Sequence, residues 1–283
     1  MEYFDLHCDT LCRCLDECSS LYSNTFSLDL KRLKQFDTPV QTFAAFIHDK
    51  YKGSDATNRF YQLYEIYKNT DFGGITPVLS IENASALNGD IDNLHIFKEL
   101  GVRIIALVWN GENQLAGGVD SEKGISEFGK SVIREMESLD IIVDVSHLNE
   151  KGFYQLCEIA TKPFIASHSN SKSVCDHKRN LSDNQFKIIR DNAGLVGINL
   201  YPLFLGKRSG GYDDIFKHIH HFLEIGGEDV LSLGTDFDGA DMDDRFKSVL
   251  DMQNLYCEIE KEFSKHIAEK IYFKNANKFF QIF

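Results

Sequence analysis

The sequence predicts a (β/α)8 barrel. Three observations point there. Eight short apolar runs are spread along the chain, patterns that look helical lie between most of them, and 283 residues is about the length that eight such units need. The runs are continuously apolar rather than alternating, as strands buried on both faces are. A doubly wound open sheet is the runner-up architecture.

The first run, residues 3–9 (YFDLHCD), ends in a His and an Asp one residue apart. Side chains two apart in a strand share a face, so His7 and Asp9 project together from the strand end. They form an imidazole and a carboxylate ready for one cation, while Cys8 points away. The second run is 43–47 (FAAFI). Over 58–69, Phe60, Leu63, Tyr64 and Tyr67 recur at helical spacing. The third run, 75–81 (ITPVLSI), is followed at once by Glu82, and the fourth is 102–109 (VRIIALVW). Phe128, Val132, Met136 and Leu139 form a helix stripe before the fifth run, 141–146 (IIVDVS), which ends at His147. The sixth, 164–167 (FIAS), ends at His168; the seventh is 194–200 (GLVGINL); the eighth, 230–235 (VLSLGT), ends at Asp236. Leu255, Ile259 and Phe263 start a helical tail. No composition shift, low-complexity segment or internal repeat divides the chain, so residues 1–283 are expected to form one barrel domain with that tail.

Composition narrows the function classes. A hydrophobic content of 43% suits a globular protein with a real core. The net charge of −13, with no basic run, argues against nucleic acid and anionic membrane surfaces as partners. Met1 and Glu2 lead straight into the first run, so no signal peptide is expected, and no apolar run is long enough to span a membrane. Seven cysteines, an odd number, are expected as reduced thiols in a cytoplasmic protein.

Barrel enzymes carry their chemistry at the carboxyl ends of the strands. Here those ends hold His7, Asp9, Glu82, His147, His168 and Asp236. Taken singly, a His at a strand end is more often a hydrogen-bonded structural residue than a ligand. Six metal-suited residues at the ends of five separate strands resist that explanation. Three histidines and three carboxylates suit one or two divalent ions such as zinc. Two ions ~3.5–4 Å apart can share a bridging hydroxide, a nucleophile at neutral pH. Glu82 fits a bridging carboxylate, and Asp236 a residue that takes the water's proton and returns it to a leaving amine. His218, His220 and His221 lie together in a helical segment and read as a solvated face.

The chain resembles the membrane dipeptidase (renal dipeptidase) family, the M19 metallopeptidases of the amidohydrolase-like barrels. The matching segments are DLHCDT, SIEN around Glu82, GISEFGKSVIREMESL, IIVDVSH, ASHSNSKSVCDHKRN, GLVGINLYP, LGTDFDG and IYFKNANKFF, nearly end to end. The resemblance implies a dizinc site, manganese and cobalt being other ions such donors accept. His7 and Asp9 would hold one ion and His147 and His168 the other, with Glu82 bridging and Asp236 as acid/base. Arg179 would bind the terminal carboxylate of a dipeptide, a role that suits a guanidinium fork. Family members often tolerate a D-residue at the C-terminal position, and dimers are common among them, so a homodimer is an inference from family habit. One departure stands out. Where well-known members carry a substrate-contacting His after the fourth strand, this chain has Asn110, which can donate a hydrogen bond to an oxyanion but carries no charge. The second functional reading, the same metals acting on an N-acyl amino acid or a lactone, rests on that residue. A non-catalytic binding protein is the third, disfavoured by the intact donor set.

Two other motifs compete. Residues 124–131 (GISEFGKS) satisfy the phosphate-loop pattern G-x-x-x-x-G-K-S/T. Such a loop must leave a strand directly, and here the nearest run ends near Trp109. Cys8, Cys12, Cys14 and Cys18 are dense, but their spacing matches neither zinc pairs nor ferredoxin runs.

Overall fold

The protein is described by a computed structural model covering residues 1–206 and 211–281. Eight parallel strands close into a barrel in chain order. They are β1 Tyr3–Asp5, β2 Pro39–Phe46, β3 Thr76–Glu82, β4 Val102–Ala106, β5 Ile142–Asp144, β6 Ile165–Ala166, β7 Leu195–Ile198 and β8 Leu231–Leu233. The predicted (β/α)8 barrel is therefore the fold, and the open sheet is not. Among the described residues no helix is long and apolar enough to cross a membrane.

Most strands are shorter than their apolar runs, because the last residues of each run leave the ladder to build the loops above it. β2 instead starts four residues early, at Pro39. Proline is tolerated at a strand's first position, and the polar Gln41 and Thr42 hide the strand's start from a hydrophobicity reading. The helix predicted over 58–69 spans Ser54–Lys68, and the stripe from Phe128 falls in Glu127–Ser138.

Side chains alternate across the barrel wall. Phe4, Leu6, Val78, Ile104, Ile142, Ile165 and Leu195, from six strands, meet in one interior cluster. Ala276 and Phe279 of the helix Asn275–Phe280 join it, so the end of the chain packs against the barrel interior. The neighbours in sequence Leu79, Ile105, Val143 and Val196 face the other way, into the larger core under the helices.

The ladder between β1 and β8 is a single pair, Asp5 with Leu233, and backbone bonds from Leu6 N to Leu233 O, Asp236 N to His7 O and Asp9 N to Phe237 O extend the closure beyond it. The buried Asp5 side chain reinforces it. Its carboxylate accepts from Thr235 N (2.9 Å) and Thr235 Oγ1 (2.6 Å) beyond β8, and from Gln41 Nε2 (3.1 Å) on β2. The Tyr3 hydroxyl and His7 N, each at 3.3 Å, complete the set.

His218 departs from the sequence expectation. It lies on the helix Tyr212–Glu224 but is fully buried, whereas His220 and His221 pair with Glu262 and Asp183 near the surface. The apolar stripe of this helix passes through position 218, where the ring meets two backbone groups. Nδ1 accepts from Ser171 N (3.1 Å), so Nε2 carries the proton and donates to Leu205 O (2.9 Å). A neutral ring thus joins the loop after β6 to the segment after β7. Burial pulls its pKa down to about 4.

Two outcomes follow from this packing. Asp5→Ala orphans several buried donors at the seam and should destabilise the protein by roughly 3 kcal/mol or more, read from urea denaturation. His218 resists a proton that the unfolded chain takes up near pH 6.5, so its neutral state supports the fold fully above that pH. That support should fade as pH falls toward 4, by up to ~3 kcal/mol. His218→Gln should lose this part of the acid sensitivity in paired denaturation curves at neutral and acid pH.

Candidate metal centre

All six donors predicted from the sequence converge at the carboxyl ends of the strands. His7 and Asp9 follow β1. That strand ends at Asp5, but bonds from Cys8 N to Thr42 O and from Asp9 N to Phe237 O carry the extended path onward. Alternation therefore survives: Cys8 is buried in the core, and His7 and Asp9 face the centre. Glu82 is the last residue of β3. His147 and Asp236 sit one turn beyond β5 and β8 in left-handed backbone, at φ 69° and 64°. Such conformations are rare outside glycine and cluster at functional sites.

Glu82 stands in the middle. Its Oε2 lies 3.4 Å from His7 Nε2, and its Oε1 lies 2.8 Å from His147 Nε2 and 4.0 Å from His168 Nε2. The two oxygens of one carboxylate thus face different histidines, His7 and His147, while the donor atoms of His7, Glu82 and His168 also lie within 4.8 Å of one another. On the first side, His7 Nε2 is 3.3 Å from Asp9 Oδ2 and 3.9 Å from Asp236 Oδ1. On the second, the Nε2 atoms of His147 and His168 lie 3.0 Å apart.

The residues fit a divalent cation on this structure's own terms. Asp9 Oδ1 is buried with no hydrogen-bond partner, an orphan acceptor of the kind native proteins avoid. Gly239 packs directly against two of the carboxylates: a Cβ there would come within 2.1 Å of Asp9 Oδ2 and 2.5 Å of Asp236 Oδ1. The donors are imidazole nitrogens and carboxylate oxygens, the set that suits zinc and its neighbours. The protein's own charges leave an imbalance. Burial raises the Glu82 carboxyl to about 7, with Asp9 adding to it. Burial likewise raises Asp236 to about 6, against the pull of His7. His147 and His168 are held well below the usual imidazole range by burial, with Arg179 and His7 adding to the effect. For His7, burial opposes the charge, but Asp9 and Glu82 lift it well above that range. Burial disfavours the charged form of Glu82 and Asp236 and the protonated form of His147 and His168, and a bound cation would favour the carboxylate and neutral imidazole forms alike.

Apart from Asn110, which it assigned to substrate, the sequence did not single out the residues that orient these donors. Asn199 Nδ2 donates to Asp236 Oδ2 at 3.0 Å. Asp144, the last residue of β5, accepts from Ser146 N, Ser167 N and Ser167 Oγ, and Ser167 Oγ in turn lies 2.7 Å from His168 Nδ1. Asn110 Oδ1 lies 2.9 Å from His147 Nδ1. The available signal was a polar residue at or just past the end of a buried strand, which Asp144, Ser167 and Asn199 all satisfy.

Above the donors opens a cavity of about 800 Å³, lined by Asp9, Glu82, His147, Asp236, Trp109 and Arg179 among others. Arg179 is 5% exposed. It donates from Nη2 to His168 O at 3.3 Å, its Nε is unpartnered, and its guanidinium lies over the Phe204 ring. A buried cation with spare donors in a cavity wall is suited to an anion. The phosphate-loop pattern is a helix start: Ser126 caps Glu127–Ser138 by accepting from Gly129 N, and a Cβ on Gly129 would strike Leu115 O at 2.3 Å. All seven cysteines are free thiols, with Cys8, Cys12 and Cys14 buried.

Comparison with known proteins agrees with this geometry. The model of the membrane dipeptidase family, peptidase family M19, matches residues 60–282. An uncharacterised Klebsiella pneumoniae protein from the pqqA 5′ region is 34% identical over 70% of this chain and 78% of its own length. An uncharacterised dipeptidase of Schizosaccharomyces pombe is 31% identical over 80% of this chain, which spans 58% of that protein. A metallopeptidase from Rhodobacter sphaeroides, solved with a phosphinate mimic of the dipeptide L-Ala-D-Ala, superposes with a TM-score of 0.89 at 25% identity, covering 99% of both chains. With the family model extending over most of its length and the same barrel found in a solved metallopeptidase, the chain belongs to the membrane dipeptidase family, peptidase family M19, and is a hydrolytic enzyme of that family.

Proposed function

We propose that the protein cleaves the peptide bond of free dipeptides, including those with a C-terminal D-residue, at a centre of two zinc ions. The observation that carries the proposal is Glu82, with one oxygen toward His7 and the other toward His147. In this reading His7 and Asp9 would hold one ion, His147 and His168 the other, and Glu82 would contribute one oxygen to each. When bound, two such ions supply a Lewis acid for the scissile carbonyl and a water acidified to near neutrality.

The chain's own residues do the rest. Asp236 sits beside His7, with Asn199 holding one of its oxygens and leaving Oδ1 toward the centre. Burial keeps its carboxyl near the range in which it can accept a proton from the attacking water and return it to the leaving amine. Arg179, in the cavity wall with its Nε unpartnered, offers its guanidinium to the terminal carboxylate and so fixes which bond lies over the donors. The cavity takes a small, doubly charged substrate, and the whole chain serves as one catalytic unit. The phosphinate mimic of L-Ala-D-Ala held by the R. sphaeroides metallopeptidase supports the same substrate class.

Chelator-sensitive cleavage of L-Ala-L-Ala and L-Ala-D-Ala, with N-acetyl-L-Ala-L-Ala left intact, is the expected result on zinc-loaded protein. Cleavage of the blocked compound alone would redirect the assignment to acylated amino acids. Arg179→Ala should raise KM by about 10- to 100-fold while zinc content by elemental analysis stays unchanged. Asp236→Asn should lower kcat by ~10²–10⁴-fold with a smaller effect on KM.

A further inference from the structure

We infer that Asn110 is a positioning residue for His147, fixing the tautomer and the ring direction through which that imidazole serves the centre. The inference rests on the two-metal reading above and deepens it. His147 directs Nε2 inward, 2.8 Å from Glu82 Oε1 and 3.0 Å from His168 Nε2. A neutral imidazole has a single N–H, so a nitrogen free to ligate at Nε2 leaves the proton on Nδ1. That proton needs an acceptor, and Asn110 Oδ1 stands 2.9 Å away. The same logic orients the amide: turned over, its NH2 group would face an N–H.

His147 depends on such an anchor. Its backbone is left-handed, at φ 69°, outside the conformations that fix side-chain direction in strands and helices. His168 receives the equivalent support at Nδ1 from Ser167 Oγ, which donates onward to Asp144. For His147 the support crosses from another loop, and that loop is clamped at the residue in question. Gly111 N donates to Asp49 Oδ2 at 2.7 Å, and Asp120 N donates to Asn110 O at 2.8 Å. Gly118 packs so closely that a Cβ on it would lie 1.8 Å from Trp109 O and 2.6 Å from Asn110 O. Asp49 Oδ1 accepts from Asn83 Nδ2 at 3.0 Å, and Asn83 is the residue after Glu82. One frame therefore holds both the anchor of His147 and the carboxylate between the two donor groups. Asn110 is assigned to the metal side of the reaction, in place of the oxyanion contact that its position in the sequence suggests.

The test is metal binding rather than turnover. Zinc affinity would be measured by competition with a chromophoric chelator, and ligand geometry by the visible spectrum of the cobalt-loaded protein. Asn110→Ala should weaken the looser of the two ions by about 10- to 100-fold and change the cobalt spectrum. Asn110→Asp, which keeps the acceptor and removes the donor, should hold both ions within a few-fold of wild type. If Asn110→Ala binds both ions as wild type does, with an unchanged spectrum and a lowered kcat, the residue acts on substrate and the inference is overturned. Equal metal loss in both variants would also overturn it. Failure of the wild-type protein to bind either metal would instead sink the two-metal reading itself.

Discussion

A buried carboxylate with histidines on both sides is a costly arrangement, and the structure depends on it at Glu82. The residue ends β3, so its position is set by the ladder with β2 and β4. His7 and Asp9 arrive from β1, His147 and His168 from β5 and β6, and Asp236 from β8. Only a closed barrel brings those strand ends around one point. The fold contributes convergence, and the loops just past the ladder contribute direction, through left-handed turns at His147 and Asp236 and glycines where side chains would obstruct.

Much of this was legible in the sequence. The barrel could be read because parallel strands buried on both faces leave unbroken apolar runs, and because every run but the second starts close to its strand. The six donors could be read because each follows such a run directly, so that strand order alone collects them. What periodicity misses is the polar interior of an apolar wall. Gln41 opens β2 with a side chain committed to Asp5, and a hydrophobicity pattern has no way to distinguish it from a loop residue. His218 was misread for the complementary reason. Next to His220 and His221 it looks like part of a solvated cluster, yet helical spacing places it on the buried stripe, and its two backbone partners are Ser171 after β6 and Leu205 at the end of the short helix after β7.

The orienting residues belong to a third category. Asn199 and Asn110 each act on a donor 37 residues away, Asp236 and His147, so their roles exist only in three dimensions, and Ser167, though it touches the adjacent His168, is tied to Asp144 across the barrel wall. Sequence can name candidate ligands because their chemistry is distinctive. It cannot name their supports, because an amide or a hydroxyl at a strand end is common and its partner is unknown. The family resemblance named Arg179 and Asn110 as substrate contacts; both line the cavity, and the carbonyl oxygen of Asn110 also lies 2.9 Å from His147 Nδ1.

The seam at Asp5 has a consequence for the order of assembly. Its firmest bonds run to Thr235, 230 residues along the chain. During synthesis the first strand emerges with nothing to close against, and the donors His7 and Asp9 wait beside an unfinished sheet until the eighth strand is made. Contacts of such sequence separation form late and slow folding. Convergence of the candidate donors is thereby tied to synthesis of the eighth strand: partial chains carry some of these side chains but not the enclosure that brings them together.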